Sequence, residues 1–324
     1  MKRSLIPPAK VAAYAAAVLI LFCGVVFLLV PYSSWALNLA TQATASYFRA
    51  AAFPKLMSGR VPSCSISDVW HHAIPVDENL SKSAIAARIR VLQRDGDLAE
   101  MDTPNGRFWI PERDTPTLPE MIDEQQRDIY ESGDRGVRAG DVVLDCGANV
   151  GVFTRHALER GARKVIAIDP APGAIECLRR NFRTEIASGR VLVYPKGVWN
   201  KEEMLELTTN PALASTANSV AINRGARGTM VPLTTIDALA GELQLDRVDF
   251  IKMDIEGAEA QALEGGRITI GRYHPRMAIA LEHRQHDLEG LTDTVHRLWP
   301  DLTIEDGPCT RIIDRIQPEV LFVH

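Results

Sequence analysis

The sequence predicts an α/β protein built on a doubly wound, mostly parallel sheet. Residues 142–144 form a β-branched apolar run that ends on Asp145, which is typical of a buried parallel strand. A glycine-containing turn and a helical pattern over Val150–Arg160 follow it. A second apolar run, Val165–Ile168, then ends on Asp169. Strand, tight turn, helix and strand in this order are the first half of a doubly wound sheet.

The turn after the first strand indicates which ligand such a sheet would hold. A dinucleotide fingerprint starting at Gly147 needs glycines at positions 149 and 152, where Asn149 and Val152 stand. S-adenosylmethionine, which has no pyrophosphate, suits an acid at Asp145 and an asparagine in the turn better. Asp169 is then spaced to hold the ribose hydroxyls.

Four segments carry a family resemblance: VVLDCGANVGVFT, AIDPAPGAIECLRRNF, TTIDAL and DFIKMDIEGAEAQALEGG. Over about residues 121–283 they resemble the FkbM family of S-adenosylmethionine-dependent methyltransferases. The resemblance implies a Rossmann-like class I methyltransferase that methylates oxygen, often a sugar or polyketide hydroxyl. The ribose acid is more often Glu in that family, and Asp169 is one methylene shorter. The cofactor residues that the resemblance implies are Asp145, Gly147, Asn149, Gly151 and Asp169.

Composition and charge argue against a nucleic-acid partner and against a cysteine-based metal site. The chain has 324 residues and a net charge of −5 with mixed signs throughout, so we expect no nucleic-acid partner. The five cysteines show no metal-ligand spacing. Because the count is odd, we expect free, mostly buried thiols and no disulfide framework. The cysteines are Cys23, Cys64, Cys146, Cys177 and Cys309.

The chain divides into four predicted segments. Residues 1–10 are a basic tail, and residues 11–30 contain no charge and match the thickness of a bilayer core as a helix. A signal peptide is the alternative, but its apolar region is usually shorter, so we expect an uncleaved transmembrane anchor. Residues 31–117 are then a juxtamembrane and accessory region, and residues 118–324 the methyltransferase domain.

The accessory region is predicted to be a small helical lead-in. Ser81–Gln93 shows helical spacing of its apolar residues, and Gly106–Pro111 reads as a short strand. Leu118–Tyr130 is predicted as a helix that enters the first sheet strand, which places its end beside the cofactor turn. Tyr130 is therefore a candidate cofactor contact, with ordinary core packing as the alternative.

After the second strand, a helix, a third strand and a turn are expected. The turn, Pro195–Val198, lies under the adenine by doubly wound geometry, which makes Gly197 a cofactor candidate. Residues 199–209 and 228–233 suggest a small antiparallel insertion, and the long polar segment 210–227 is a candidate substrate lid. The other predicted elements are Pro172–Arg183, Arg190–Tyr194, Thr235–Leu243, Val248–Met253, Ala258–Glu264, Arg276–Leu281, Leu288–Trp299, Leu302–Ile304 and Val320–Val323.

The candidate catalytic residues follow the fourth and fifth strands. Asp254, Glu256 and His283 are expected at the carboxyl edge of the sheet, where ligands of open α/β sheets bind. His283 is the better base near neutral pH, and Asp254 is expected to act as a base or to orient its partner. Capping of the following helix is the alternative for Asp254 and Glu256. A divalent metal held by Asp254, Glu282 and His283 remains open, although we expect none.

The sequence thus predicts a membrane-anchored S-adenosylmethionine-dependent O-methyltransferase that acts on a hydroxyl of a sugar, glycan or related secondary metabolite. The alternative is a membrane-tethered metabolite-binding module without turnover. Lys2, Arg3 and Lys10 precede the apolar segment and Arg49 follows it, which favours an exported domain. Because the cofactor is made in the cytosol, we nevertheless expect a single-pass membrane protein whose domain faces the cytoplasm.

Overall fold

The computed structural model describes residues 57, 63–71, 76–131, 133–207, 229–281, 287–312 and 315–324. The chain divides into two compact units. The smaller comprises residues 1–75 and 311–316, and its described part includes helix α1, Ile66–His71. The larger comprises residues 76–310 and 317–324 and contains the whole candidate site.

Seven strands of the larger unit form one twisted sheet in the described part of the chain. From one edge strand to the other, the order of hydrogen-bonded neighbours is β12-β15-β11-β10-β4-β5-β6, with the residue ranges given below. The neighbours from β11 to β6 are parallel, whereas β15 runs antiparallel to both β11 and β12. The strands are β4 (Val142–Cys146), β5 (Lys164–Ile168), β6 (Val191–Tyr194), β10 (Phe250–Met253), β11 (Arg276–Ala280), β12 (Ile304–Asp306) and β15 (Val320–Val323).

This strand order creates a topological switch point between β4 and β10. The chain first winds outward through β5 and β6, and then returns to pair β10 with the other edge of β4. Connections on the two sides of the switch leave the sheet on opposite faces, which opens a crevice at the carboxyl ends of the strands. The predicted mostly parallel, doubly wound sheet is confirmed, including the antiparallel closing pair β12 and β15.

Helices cover both faces of the sheet because alternate residues of each buried strand point to opposite sides. Leu144 belongs to the apolar cluster on one face, and its neighbour Val143 belongs to the cluster on the other. Both are fully buried. The helices are α4 (Val152–Glu159), α5 (Pro172–Asn181), α6 (Arg183–Ala187), α7 (Ile236–Glu242), α8 (Glu259–Gly265), α9 (Arg267–Tyr273) and α10 (Asp287–Leu298).

A three-stranded antiparallel sheet precedes this core and packs into it. It consists of β1 (Arg90–Asp95), β2 (Leu98–Thr103) and β3 (Gly106–Pro111), and it follows helix α2, Val76–Ala86. A 3₁₀ turn, Glu112–Thr117, then leads into helix α3, Leu118–Gln126. Residues of β2, β3, α3 and the segment that follows β4 share one apolar cluster.

The expected helix over Ser81–Gln93 is wrong in its second half, which forms strand β1. The apolar positions Ile85, Ile89 and Leu92 fit helical spacing, but a two-residue Gly96–Asp97 connection pairs β1 with β2. Gly96 has φ 59°, a left-handed conformation that suits such tight hairpins. Pairing across the hairpin therefore decided the structure of this segment.

A small sheet after β6 contains the predicted antiparallel insertion. Strands β8 (Glu203–Leu207) and β9 (Thr229–Thr234) pair antiparallel, and β7 (Gly197–Val198) adds to β9 in parallel. The candidate lid, residues 210–227, lies outside the described residues. A further two-stranded sheet joins β13 (Cys309–Ile312) and β14 (Arg315–Pro318).

Two expectations from the sequence need correction. Among the described residues no helix is both long and apolar enough to cross a bilayer, which contradicts the predicted single-pass membrane localisation. The segment on which that prediction rested, residues 11–30, itself lies outside the described residues. The expected free thiols are wrong for Cys64 and Cys309, which are both disulfide-bonded. Sequence spacing alone cannot reveal which cysteines of a folded chain have a bonding partner.

Candidate functional site

The turn after β4 is held from the neighbouring strand. The backbone N–H groups of Gly147 and Ala148 both donate to the carbonyl oxygen of Ile168, each over 3.0 Å. Gly147, Asn149 and Gly151 have φ values of 79°, 49° and 90°. Such left-handed conformations are routine only for glycine and, to a lesser degree, asparagine. The residue types in the turn are therefore those that its backbone requires.

Asp169 closes the turn from the end of β5. Its Oδ2 accepts the backbone N–H of Asn149 over 2.9 Å, and its Oδ1 accepts that of Ala171 over 2.8 Å. Burial raises the pKa of Asp169 to about 6, although these two hydrogen bonds act in the opposite direction. Each carboxylate oxygen retains a lone pair that can accept a ligand hydroxyl. The side-chain amide of Asn149 makes no hydrogen bond within the described part of the chain.

Gly151 and Asn181 attach the turn to helix α5. A Cβ on Gly151 would stand 2.2 Å from the ring of Phe182, so no larger residue fits there. The Asn181 amide donates to the carbonyl oxygens of Val150, over 2.8 Å, and Trp109, over 3.0 Å. Asn181 also accepts the backbone N–H of Trp109. One side chain thus joins the turn to strand β3.

A buried ion pair crosses the switch point below the turn. Asp145 and Lys252 are register partners on the parallel strands β4 and β10, so both side chains point to the same face. The Lys252 Nζ lies 3.7 Å from Asp145 Oδ1 and donates to the carbonyl oxygen of Gly147 over 3.0 Å. Asp145 Oδ2 accepts the hydroxyl of Thr154 over 2.6 Å, whereas Oδ1 has no hydrogen-bond partner among the described residues.

The electrostatics of this pair keep the lysine charged. Burial alone lowers the pKa of Lys252, but the carboxylates of Asp254 and Asp145 outweigh it and raise the pKa above its usual value. Burial raises the pKa of Asp145, against the attraction of Lys252. Lys252 is therefore an ammonium at neutral pH, although its side chain is almost completely buried.

Asp254 stands above this ion pair at the edge of the crevice. Its Oδ2 lies 3.3 Å from the Lys252 Nζ and accepts the hydroxyl of Tyr130 over 3.1 Å. The side chain of Asp254 keeps 24% of its surface exposed, whereas Lys252 keeps 5%. The Tyr130 ring packs edge-on against Phe153, with centroids 5.6 Å apart. Two donors thus fix one oxygen of a carboxylate that solvent and ligands still reach.

The loop after Asp254 is organised by Glu259. Its Oε1 accepts the backbone N–H groups of Ile255, over 2.9 Å, and Gly257, over 3.3 Å. Glu256 lies between them in a left-handed conformation, φ 59°, with a half-buried side chain. A non-glycine residue with positive φ is uncommon and marks a backbone that its surroundings constrain.

The structure brings most of the predicted site residues to one edge of the sheet. Gly197 lies there as well, packed so that a Cβ would stand 2.6 Å from Leu233 and 3.4 Å from Pro170, the residue after Asp169. His283 and Glu282 lie outside the described residues, so the expected base and the alternative metal set stay predictions. No cluster of three metal-ligating side chains occurs among the residues that are described. The predicted residues that meet at this edge are Asp145, Gly147, Asn149, Gly151, Asp169, Asp254, Glu256 and Tyr130.

Sequence reasoning missed three residues that build the site. The sequence patterns assign no role in the site to Lys252, Thr154 or Glu259. Lys252 has a usable signal, because a lysine inside an apolar strand needs a buried partner. Thr154 and Glu259 act only through contacts that the fold creates.

The strand order, the turn and the acid at the end of β5 together fit the Rossmann-like fold of methyltransferases. Residues 145–301 match the family model of the methyltransferase FkbM domain, which confirms the predicted resemblance to that family. The enzyme class predicted for the domain agrees with that family.

Similar proteins include two curated fungal sequences and one crystal structure. "Methyltransferase 1" of Beauveria bassiana (strain ARSEF 2860) is 25% identical over 143 residues, covering 38% of this chain and 57% of that protein. "Methyltransferase sdnD" of Sordaria araneosa is 26% identical over 153 residues, covering 38% and 59%. The chain therefore aligns with less than two thirds of either relative. Methyltransferase FkbM from Methylobacillus flagellatus KT aligns over 86% of this chain and 59% of its own, with 18% identity and a TM-score of 0.47.

Proposed function

We propose that this protein transfers a methyl group from S-adenosylmethionine to a hydroxyl of a carbohydrate or a related secondary metabolite. The observation that carries the proposal is the carboxylate of Asp169, which closes a glycine turn at the switch point of a doubly wound sheet. This is the place where such sheets hold the ribose of a bound cofactor. The match to the family model supports methyl transfer as the chemistry at this place.

The residues around the turn suit this cofactor. Asp169 would accept the ribose hydroxyls through the lone pairs that its two backbone hydrogen bonds leave. Asp145 carries a buried carboxylate oxygen without a hydrogen bond, and the ammonium of an amino-acid group is a partner of the right charge. Gly197, beside Pro170, would let the backbone pass close beneath an adenine.

When bound, S-adenosylmethionine supplies a methyl group on a positively charged sulfur. The protein must then hold a hydroxyl oxygen in line with that methyl carbon and accept the proton that the hydroxyl loses. Asp254 stands at the crevice edge and is our candidate for this role, with Glu256 beside it and His283 as the further candidate. Tyr130 and Lys252 fix the orientation of Asp254 through its Oδ2.

The chemistry of the acceptor rests on the family resemblance rather than on a visible pocket. The two relatives are named methyltransferases, and neither name specifies an acceptor. Nothing in the comparisons favours the alternative of a binding module without turnover. The carboxylate of Asp254 beside the crevice agrees with a hydroxyl acceptor, because a general base suits the loss of a hydroxyl proton.

The test incubates the full chain with S-adenosylmethionine labelled in its methyl group and a panel of glycans and hydroxyl-bearing metabolites. We expect label in a product that resists mild alkali, because methyl ethers do so and methyl esters do not. Asp254→Asn should lower the rate by about 10²-fold, the size of a general-base contribution, with cofactor affinity unchanged.

Asp169→Ala serves as the matched variant, because it should instead weaken cofactor binding by about 1.5–3 kcal/mol. Alkali-labile label would redirect the proposal to carboxylate acceptors. Tight cofactor binding with no label in any acceptor would favour the binding module.

A further inference from the structure

A second concave site lies on the outer side of helix α5, away from the strand-end cluster. It is a cavity of about 670 Å³ between strands β1 and β3 on one side and helices α5 and α6 on the other. We call it the arginine groove, after Arg179, Arg180 and Arg183, which line it together with Trp109. Its volume falls within the range of small-molecule sites, roughly 300–1,000 Å³.

One of the three arginines is part of the framework. Arg180 pairs with Asp95 of β1 over 2.8 Å and with Glu176 of its own helix over 2.7 Å. Its guanidinium also lies 4.7 Å from the centroid of the Trp109 indole. These contacts hold the aromatic floor and one side of the groove in place.

The other two arginines have no such role. Arg179 and Arg183 are exposed, stand four residues apart on the same side of the groove, and form no ion pair with any residue that the structure describes. Two unpaired guanidiniums that face one cavity repel each other and favour an anion between them. A phosphate or carboxylate is the group that their planar donors match best.

The rest of the lining suits a hydroxyl-rich ring rather than a bare anion. Arg180 covers part of the half-buried Trp109 indole, and the part of the ring that lines the groove offers an apolar surface of the kind that packs against a sugar ring. Asp95, Glu176 and Gln93 add acceptors around it, since the Gln93 amide nitrogen is used by Glu100 and leaves the amide oxygen. Acceptors beside an aromatic surface match hydroxyl groups, and the two arginines match one negative charge.

We propose that the arginine groove binds an anionic sugar, that is, a sugar ring that carries a phosphate or a carboxylate. The ligand's charge would lie between Arg179 and Arg183, and its ring would lie over Trp109. This site is separate from the Asp145–Asp169 turn, and it does not depend on the proposed methyl transfer.

Calorimetry on the full chain at low salt tests this proposal with four probes: α-D-glucose 1-phosphate, D-glucuronate, D-glucose and inorganic phosphate. We expect at least one of the two anionic sugars to bind at least tenfold more tightly than glucose or phosphate alone. The double variant Arg179→Gln/Arg183→Gln should lose at least tenfold of that affinity. Saturating S-adenosylhomocysteine should leave the anionic sugar bound, because the two sites do not share residues.

The matched control is Arg190→Gln/Arg272→Gln, which removes the same charge from two exposed arginines outside the groove. This control should bind the anionic sugar as the parent does. The proposal is overturned if neither anionic sugar binds, if inorganic phosphate binds as tightly as both of them, or if the control loses as much affinity as the groove variant.

Discussion

A Cβ atom on Gly147 would stand 1.9 Å from the backbone carbonyl oxygen of Asp254. The turn after β4 and the loop after β10 therefore meet backbone to backbone, without any side chain between them. The Asp254 N–H also donates to the carbonyl oxygen of Cys146, which fixes the same approach from the other direction. The turn proposed to hold the cofactor and the proposed base thus have one fixed spacing.

Gly147→Ala should separate these two segments and destabilise the fold. Left-handed strain costs about 1–2 kcal/mol, and forcing a methyl into a filled space costs roughly 1–3 kcal/mol more. Gly140→Ala is the matched control, because Gly140 has φ 89° and no atom of the described residues lies within 4 Å of its Cβ position. Urea unfolding should show a clearly larger loss for Gly147→Ala, and equal losses would contradict the contact.

Binding of S-adenosylmethionine should weaken in acid because of Asp169. A ribose hydroxyl donates to the ionised carboxylate, and burial raises the pKa of Asp169 to about 6. Below that pH the carboxyl group takes up a proton that binding must release, so affinity should fall about tenfold per pH unit between pH 6 and 4. Calorimetry across this pH range measures the affinity for S-adenosylmethionine.

Asp169→Asn provides the control for that titration. The amide does not ionise. This variant should therefore bind S-adenosylmethionine more weakly at neutral pH, and its affinity should not fall between pH 6 and 4. A decline of the same slope in the variant would assign the titration to another group.

Tyr130→Phe separates two roles of Tyr130, the predicted cofactor contact and the observed partner of Asp254. The variant keeps the ring against Phe153 and loses the hydroxyl that donates to Asp254, a charge-assisted bond worth about 1.5–3 kcal/mol. We expect turnover to fall about tenfold or more with cofactor affinity unchanged. Tyr273→Phe, which loses a hydroxyl bond to the Leu245 carbonyl, is the control. A weaker cofactor affinity with normal turnover would favour the predicted contact instead.

Lys252→Met should lower the free energy of unfolding by about 3–5 kcal/mol, because it leaves Asp145 as a buried charge without its cation. Lys164→Met, at the start of β5, removes a lysine that has no ion pair within the described residues and should cost far less. Urea denaturation measures both.

Adding Asp145→Asn to Lys252→Met removes the uncompensated charge and should recover part of the loss. If Lys252→Met were as stable as the parent protein, the ion pair would contribute nothing to the fold.

The core sheet was predictable because its strands are short apolar runs that end on polar residues. β4 ends one residue after Asp145, and β5 ends one residue before Asp169. The glycines that follow Asp145 then predict the turn. The accessory strands were harder. A glycine stands at each hairpin turn, Gly96 at the first and Gly106 at the second, but helical spacing through Ile85 and Ile89 concealed the first of them.

The contacts within the site join residues that lie far apart in the sequence. Lys252 meets Asp145 only because β10 pairs with β4 in one particular register. The hydroxyl of Tyr130 reaches Asp254 across 124 residues of sequence, after helix α3 has already ended at Gln126. Local pattern identifies such residues as polar or aromatic, and only the assembled sheet determines their partners.

The attachment of the turn to its neighbours also affects the entropy of binding. Hydrogen bonds from Gly147 and Ala148 to Ile168, and from Asn181 to Val150, hold the backbone in place before any ligand arrives. Fixing a free residue costs roughly 1–2 kcal/mol of conformational entropy, and here folding has already supplied that order. A ligand that binds at this turn therefore loses little of its interaction energy to ordering the protein, and its affinity should depend mainly on the contacts it makes.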